Sequence, residues 1–330
     1  MKTYLIAEMA CSHEGDVDLA RRICDVAAEA GADAVQLQVW RRELMVSPRH
    51  PDLAKLAELE LSQNEWRDVV GYVRDRYPSL EIIGCIYEAA SLDFLDTLGI
   101  DRYKLHSADL SNPRLLSAIA AKGRPVHLSV GASTLDEIHA AVQRFRGRSS
   151  APLTLMYGYQ AFPTRPDDAH LAFLPTLRRL FDCPVGYQDH SGGDSDEAFW
   201  LPAAAMGLGV AVLEKHLTHY RSRRGADYEA ALDPAPFIRF ARMVRAIDAA
   251  RGLATPHPFS EDEKRYRVYA KKSLVASRDL SAGTQLSEDS FTALRLPSPG
   301  LPPSEEPSLL GKILRRDVSA FEPLTREDFR

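Results

Sequence analysis

Short apolar runs alternate with longer amphipathic runs eight times between residue 3 and about residue 252. Each short run is typical of a buried strand, and each longer run repeats apolar residues at helical spacing. Strands that alternate with helices predict a parallel sheet, and eight such units in about 250 residues match the size of a (β/α)8 TIM barrel. An open, doubly wound sheet is the structural alternative, but no G-x-G-x-x-G motif follows the first strand. We therefore predict a TIM barrel over residues 1–252.

The predicted strands are placed by the apolar runs and by the turn residues between them. They are Tyr4–Ala7, Ala34–Val39, Glu81–Cys85, Arg102–Leu105, Val126–Val130, Leu153–Tyr157, Val185–Tyr187 and Val210–Glu214. A helix is predicted after each strand, with start residues such as Thr134 and end residues such as Gly31 and Gly252. A barrel of this kind carries its site at the carboxyl ends of the strands, so those ends hold the candidate residues.

The sequence changes character after Gly252. We interpret residues 253–272, a proline-containing stretch followed by a charged segment, as a linker. Residues 273–330 contain an internal repeat: R-D-L-S-A-G begins at Arg278 and R-D-V-S-A-F begins at Arg316, an offset of 316 − 278 = 38. Two copies of a strand, a turn and a capped helix start predict a small, pseudo-symmetric, β-rich domain.

The composition excludes several classes of protein. Net charge is −5, from 41 basic and 46 acidic residues, so no nucleic-acid-binding surface is expected. No apolar run approaches membrane-spanning length, and Glu8 comes too early for the apolar region of a signal peptide. The four cysteines are scattered and form no C-x-x-C pair, which favours a reducing compartment over a disulfide framework. We expect a soluble, cytoplasmic protein that contacts neither nucleic acid nor membrane.

Polar residues gather near the predicted carboxyl ends of the strands, where a purely structural barrel has no need of them. They are Glu8, Gln36, Gln38, Tyr87, Lys104, Ser107, Ser129, Tyr157, Gln160, Asp189, His190, Glu214 and His216. Alternate residues of a strand face the same way, so Gln36 and Gln38 share a face. By the same rule Glu214 and His216 share a face, whereas Lys215 is expected to point to the helix layer.

His190 and His216 follow the seventh and eighth predicted strands. A single strand-end histidine is most often an ordinary hydrogen-bonded residue, but two on neighbouring strands can hold one divalent metal from two sides. Mixed imidazole and oxygen ligands favour Mn2+, with Mg2+ or Co2+ as alternatives, since Mg2+ tolerates imidazole less well. We therefore predict a metal site at His190 and His216. The sequence offers no such pairing for His106, His127, His219 and His257, which we interpret as ordinary residues.

Motifs along nearly the whole chain resemble those of one family in order and spacing. They are I-A-E-x-A-x-S-H-x-G-D (Ile6 to Asp16), G-A-D-A-V-x-L-Q (Gly31 to Gln38), K-L-H-S-A-D-L-S-N (Lys104 to Asn112), L-S-V-G-A-S-T-L-D-E-I (Leu128 to Ile138), F-P-T (Phe162 to Thr164), D-H-S (Asp189 to Ser191) and E-K-H-L-T (Glu214 to Thr218). The chain resembles the sialic acid synthase (N-acetylneuraminate synthase) family, and its tail resembles that family's antifreeze-like (SAF, β-clip) domain. The resemblance implies a transferase that condenses phosphoenolpyruvate with an aldehyde sugar to give a 2-keto-3-deoxy acid. It also implies a divalent metal and a domain-swapped homodimer.

The resemblance and the strand-end positions together assign roles to individual residues. The catalytic candidates are Glu8, Lys104, Asp109 and Asp227. The substrate-binding candidates are Gln36, Gln38, Tyr87, Ser107, Ser129, Gln160 and Gln188. By resemblance, Glu8 is an acid/base or intermediate-orienting carboxylate, and Asp227 binds sugar hydroxyls, with Asp109 near the same site. Lys104 would help to hold the anionic phosphoenolpyruvate.

The chain departs from the family where the substrates bind. Gln36 stands for a usual lysine, Gln188 for a serine and Gln160 for an asparagine or serine, all at positions that help to hold phosphoenolpyruvate in the family. An amide in place of a lysine removes a full charge from an anion site. In the tail, Leu296 aligns with an arginine that reaches the sugar bound by the partner subunit. We therefore expect altered specificity, with an aldehyde other than N-acetylmannosamine.

Two other interpretations stay open. The barrel could belong to a divergent aldolase or lyase with a phosphate-free donor, in one variant through a Schiff base at Lys104. It could also be a non-catalytic sensor of sugar acids descended from such an enzyme. The retained Glu8, His190 and His216 count against the sensor, because drift should erode a metal site first.

Overall fold

The computed structural model describes residues 2–330, and its first part is a closed parallel barrel. The barrel strands are β1 (Tyr4–Glu8), β2 (Ala34–Val39), β3 (Glu81–Ile86), β4 (Arg102–Leu105), β5 (Val126–Ser129), β6 (Leu153–Tyr157), β7 (Val185–Asp189) and β8 (Val212–His216). They pair in chain order, and β1 closes the ring by pairing with β8. The predicted (β/α)8 TIM barrel is confirmed.

Helices surround the ring of strands. They are α1 (Val17–Glu29), α2 (Arg42–Met45), α3 (Leu53–Leu59), α4 (Gln63–Arg76), α5 (Ala89–Thr97), α6 (Pro113–Ala121), α7 (Leu135–Arg146), α8 (Phe173–Phe181), α9 (Glu197–Gly207) and α10 (Pro234–Arg251). Capping boxes at Ser62 and Thr134 begin α4 and α7. The prediction of one helix after each strand does not include α2 and α3, which lie between β2 and α4. Both helices are short, because Pro48 and Pro51 interrupt the segment between them. No helix among the described residues is both long and apolar enough to cross a membrane.

The inside of the barrel is layered. Near the amino ends of the strands, Tyr4 Oη and Arg102 Nε each donate to Glu81 Oε2 at 2.6 Å. The layer above is apolar and consists of Ile6, Ala34, Ile83, Met156 and Val212. The next inward side chains toward the carboxyl ends include the buried polar residues Glu8, Gln36, Lys104 and Glu214. The apolar layer therefore lies beneath them.

A buried ion pair joins β7 and β8 on the side opposite the barrel interior. Lys215 Nζ lies 2.6 Å from Asp189 Oδ2, and neither side chain has any solvent exposure. Ser191 Oγ donates to the same carboxylate oxygen at 2.6 Å, and Tyr187 Oη donates to Asp189 Oδ1 at 3.1 Å. Burial lowers the pKa of Lys215, although the Asp189 carboxylate opposes that shift. The pair ties together the ends of the two strands that lead into His190 and His216.

Residues Leu253–Arg330 form a second compact unit with its own apolar core. Its elements are α11 (Glu261–Ala270), β9 (Lys272–Ala276), β10 (Phe291–Arg295) and α12 (Glu306–Leu309). Strands β9 and β10 pair in antiparallel fashion.

The two sequence repeats of this second unit contact each other reciprocally. Leu280 and Val318, which are equivalent in the repeat, exchange backbone hydrogen bonds of 2.9 and 2.8 Å. Asp279 accepts a hydrogen bond from the backbone of the second repeat, and Asp317 accepts the equivalent bond from the first. The unit therefore has an internal pseudo-twofold arrangement.

Replacing Lys215 with methionine would leave the Asp189 carboxylate buried without a counter-charge. We expect the free energy of unfolding to fall by about 3–5 kcal/mol, measured by urea denaturation. The matched control is K122M, because Lys122 pairs with the partly exposed Asp93 and Asp96; its expected loss is below about 1 kcal/mol. A K215M protein as stable as the wild type would show that the pair does not hold the strands together.

Candidate active site

A cavity of about 220 Å³ lies at the carboxyl ends of the barrel strands. Most of the residues predicted for the site line it. They are Glu8, Gln38, Tyr87, Lys104, Ser129, Gln160, Gln188, His190, His216 and Asp227. These residues are spread over most of the first unit, so it is the closure of the barrel that brings them together.

Three predicted site residues do not line the cavity. Gln36 is fully buried one inward position below Gln38, and its amide makes no hydrogen bond with the described residues. Ser107 and Asp109 lie in a short 3-10 turn after β4. Asp109 accepts a hydrogen bond from Asn112 at 3.2 Å, and burial raises the pKa of its carboxyl group. The predicted substrate contacts of Gln36, Ser107 and Asp109 therefore gain no support from the cavity.

The cavity is also lined by five residues that were given no role in the site from the sequence. They are Ala10, Cys11, His106, Phe162 and Glu214. The E-K-H alternation in β8 correctly placed Glu214 on the same face as His216, although no role was assigned to it. Cys11 and Phe162 lie in loops, where no periodicity indicates which side chain turns inward. The interpretation of His106 as an ordinary residue is not supported by its position in the lining.

A buried ion pair forms the base of the cavity. Lys104 Nζ donates to both carboxylate oxygens of Glu214, at 2.7 and 2.8 Å, and lies 3.7 Å from Glu8 Oε2. The Lys104 side chain is 3% exposed and each of the two glutamates is 1% exposed. Burial alone would lower the pKa of Lys104, but the two carboxyl groups raise it above its ordinary value. Lys104 is therefore held in its protonated form.

Glu8 is held from its other side by a chain of hydrogen bonds. Tyr87 Oη donates to Gln38 Oε1 at 2.7 Å, and Gln38 Nε2 donates to Glu8 Oε1 at 3.3 Å. The Ala10 backbone N–H donates to the same oxygen at 2.6 Å. Burial raises the pKa of Glu8 to about 8, although Lys104 opposes that shift. Glu8 can therefore carry a proton near neutral pH, and its Oε2 has no hydrogen-bond partner among the described residues.

The two predicted metal-binding histidines face each other at the ends of β7 and β8, with ring centroids 5.4 Å apart. His190, His216 and Glu214 each offer one ligand atom, and these atoms lie within 4.8 Å of one another. The Tyr159 carbonyl oxygen lies 2.8 Å from His190 Nδ1, which assigns the proton to Nδ1 and leaves the Nε2 lone pair free. Burial lowers the pKa of both imidazoles, and the neutral form is the one that binds metal. The three residues form a candidate metal-binding cluster.

Asp227 reaches the cavity from the loop that follows β8. Its Oδ2 accepts a hydrogen bond from the Cys11 backbone N–H at 3.0 Å, and burial raises the pKa of its carboxyl group. Its φ of 63° lies in the left-handed region, which aspartate tolerates better than most residues. The contact ties this loop to the loop after β1 and holds a carboxyl group at the edge of the cavity.

Family models match both parts of the chain. The model of the NeuB family matches residues 23–255, which is more than half of the sequence. The chain belongs to the NeuB family. The model of the SAF domain matches residues 271–330, so the SAF domain predicted for the tail of this NeuB-family protein is confirmed.

Relatives of this NeuB-family chain include synthases of different acids. The N,N'-diacetyllegionaminic acid synthase of Legionella pneumophila is 30% identical over 99% of this chain and 94% of its own length. The pseudaminic acid synthase of Campylobacter jejuni is 28% identical over 100% of this chain and 97% of its own. The crystal structure of the N-acetylneuraminic acid (sialic acid) synthetase of Leptospira borgpetersenii has a TM-score of 0.73 and 27% identity, covering 81% of this chain and 92% of that one.

Replacing His190 with alanine removes one of the two imidazoles of the cluster. We expect the affinity for Mn2+, measured by calorimetry on metal-free protein, to fall by at least about 100-fold, since the loss of even an outer hydrogen bond to a metal ligand weakens binding about 10–100-fold. The matched control is H139A, because His139 lies exposed on α7. Equal Mn2+ affinity in the two variants would rule out His190 as a ligand.

Proposed function

We propose that this protein condenses phosphoenolpyruvate with an aldehyde sugar, releases phosphate and forms a sialic-acid-like 2-keto-3-deoxy sugar acid. The reaction forms a carbon–carbon bond, which makes the protein a transferase. The observation that carries the proposal is a single barrel-mouth cavity that holds both a histidine pair and the buried Lys104–Glu214–Glu8 group. Similarity to acid synthases over nearly the whole chain supports the same reaction.

A divalent metal is part of the proposal, with Mn2+ favoured over Mg2+ or Co2+. His190 and His216 would be its main ligands, and Glu214 would be a third. Glu214 ranks behind the histidines because both of its carboxylate oxygens already accept hydrogen bonds from Lys104. The residues fit such an ion: both imidazoles are buried, and a backbone carbonyl group orients His190. When bound, the metal supplies Lewis-acid polarisation of the aldehyde carbonyl group.

The protein side chains would share the remaining work. The enol carbon of the donor bonds to the aldehyde carbon, water adds to the donor carbon that carries the phosphate, and the bond between that carbon and the phosphate oxygen breaks. Glu8, which can hold a proton near neutral pH, would donate that proton to the oxygen of the former aldehyde. One proton of the water would restore Glu8, and the other leaves with the phosphate. Lys104, fixed by Glu214, would face the carboxylate of the donor. Asp227 would accept hydrogen bonds from sugar hydroxyls.

We propose further that the aldehyde is not N-acetylmannosamine. Gln188 Nε2 donates to Glu214 Oε1 at 3.1 Å, and Gln188 Oε1 accepts from Ser129 Oγ at 2.7 Å. Gln188 is thus bonded into the base of the cavity and occupies the Ser129 hydroxyl, so the donor side of the site departs from the family pattern together with Leu296, which stands at the sugar-contacting position. Because the relatives are synthases of different acids, membership of the family leaves the sugar open.

We also propose how the subunits assemble. We expect a cytoplasmic homodimer in which the SAF domain of one subunit covers the barrel of the other. Leu296 stands at the position that aligns with the family's sugar-contacting arginine, so this domain would contribute less charge to the bound sugar.

A divergent aldolase or lyase with a phosphate-free donor is the second candidate. One observation favours it: Lys104 is the only cation that lines the cavity among the described residues, and Glu214 already neutralises it. A Schiff base at Lys104 is less consistent with the structure, because the neighbouring carboxyl groups raise the pKa of that amine and keep it protonated.

Phosphate release from phosphoenolpyruvate, measured with Mn2+ across a panel of aldehyde sugars, tests the proposed reaction. We expect release with at least one sugar, slower release with N-acetylmannosamine, and none after EDTA treatment or in H190A. If phosphoenolpyruvate releases no phosphate with any of the sugars, the proposed donor is wrong.

Borohydride trapping with pyruvate tests the Schiff-base variant of the second candidate. Because Lys104 is held protonated, we expect no covalent adduct by intact-mass analysis, with or without EDTA. An adduct that forms despite EDTA and disappears in K104M would replace the metal-dependent reaction with amine catalysis.

A further inference from the structure

We infer that His106 contacts the three-carbon donor substrate and donates a hydrogen bond from Nε2 to one of its anionic oxygens. The inference rests on the proposed function, because it takes the donor to be phosphoenolpyruvate or a related three-carbon acid. His106 lines the cavity two residues after Lys104, at the end of β4. It lies close enough to Lys104, which is assigned to the donor carboxylate, for the Lys104 charge to act on its ring.

The contacts of His106 determine which ring nitrogen carries the proton. The Ala108 backbone N–H donates to His106 Nδ1 at 3.3 Å, so the proton of the neutral ring lies on Nε2. Burial lowers the pKa of His106 to about 4, which keeps the ring neutral near pH 7. The ring stacks on Tyr87 with centroids 5.2 Å apart, and Tyr87 packs edge-on against Trp40 at 5.9 Å. His106 is therefore a fixed, uncharged donor.

Six other side-chain donor groups of the cavity each already have an acceptor in the protein, and His216 Nδ1, which has none, is buried. The six donor groups are Gln38 Nε2, Tyr87 Oη, Lys104 Nζ, Ser129 Oγ, Gln160 Nε2 and Gln188 Nε2. Within residues 2–330, His106 Nε2 makes no hydrogen bond. It is not one of the unpaired side-chain atoms that are fully buried, so a ligand can reach it. An N–H group in a cavity wall without a protein acceptor is placed to bind a ligand or water.

The charge balance of the cavity makes an uncharged donor useful. Lys104 faces the carboxyl groups of Glu8 and Glu214, and Asp227 adds a third acidic group to the lining. The side chains therefore provide no surplus positive charge for an acid. A neutral N–H group stabilises an anionic oxygen without the burial of another cation. Phosphoenolpyruvate and pyruvate both carry such oxygens in their carboxylate groups.

The test is calorimetric binding of phosphoenolpyruvate and of pyruvate to the Mn2+-loaded protein. H106F keeps the aromatic stack on Tyr87 and removes the donor, whereas H106Q keeps an N–H group of similar reach. We expect H106F to bind the acid at least about tenfold more weakly and H106Q to recover most of that loss. The exposed H139F change serves as the control and should bind like the wild type. In steady state, KM for the donor should rise in H106F while KM for the aldehyde stays constant.

The outcomes separate this inference from the proposed function. Weaker binding of both acids by H106F supports a carboxylate contact, and weaker binding of phosphoenolpyruvate alone supports a phosphate contact. If the wild type binds pyruvate but not phosphoenolpyruvate, the proposed donor is wrong, and a loss in H106F still supports His106. Wild-type affinity of H106F for both acids overturns the inference, as does a wild-type protein that binds neither.

Discussion

Three ionisable side chains are buried together in the barrel, and the residues around them provide the charge pairing and hydrogen bonds that they require. Glu8, Lys104 and Glu214 have almost no solvent exposure. A buried charge is tolerated only when it is paired and hydrogen-bonded, and removal of one partner is strongly destabilising. The amides of Gln38 and Gln188 and the backbone of Ala10 provide the further hydrogen bonds. This requirement accounts for the neutral amides and hydroxyls in the cavity lining, which are those of Gln38, Tyr87, Ser129, Gln160 and Gln188.

The period-two alternation of β7 and β8 places ionic groups on both sides of the same wall. Glu214 faces the cavity, whereas Lys215 faces away from it and pairs with Asp189. The candidate metal ligands thus stand on strand ends that are tied together from behind. Cavity-facing residues can change without removing this ion pair, because neither Asp189 nor Lys215 lines the cavity.

The fold could be predicted almost completely from the sequence, since eight repeats of one local pattern allow few arrangements. Lys104 and His216 lie on strands and line the cavity, because alternation fixes the direction of their side chains. Gln36 shares that direction but is buried below the cavity, since alternation does not fix how deep a side chain lies. Ser107 and Asp109 lie in a turn without such a rule, and they do not line the cavity. Prediction from the sequence also missed that Lys104 is committed to Glu214, since that contact joins β4 to β8 across the barrel. Such contacts depend on barrel closure, which no local pattern contains.

The hydrogen bond between His190 and Tyr159 links a side chain to a backbone carbonyl oxygen. A backbone acceptor is present whatever residue occupies position 159, so single substitutions there leave the imidazole oriented. The exposed Tyr159 side chain is therefore free to vary. In evolutionary terms the orientation of this candidate metal ligand is insulated from mutation of the loop around it. A lineage can alter the side chains of this loop while His190 keeps the same orientation.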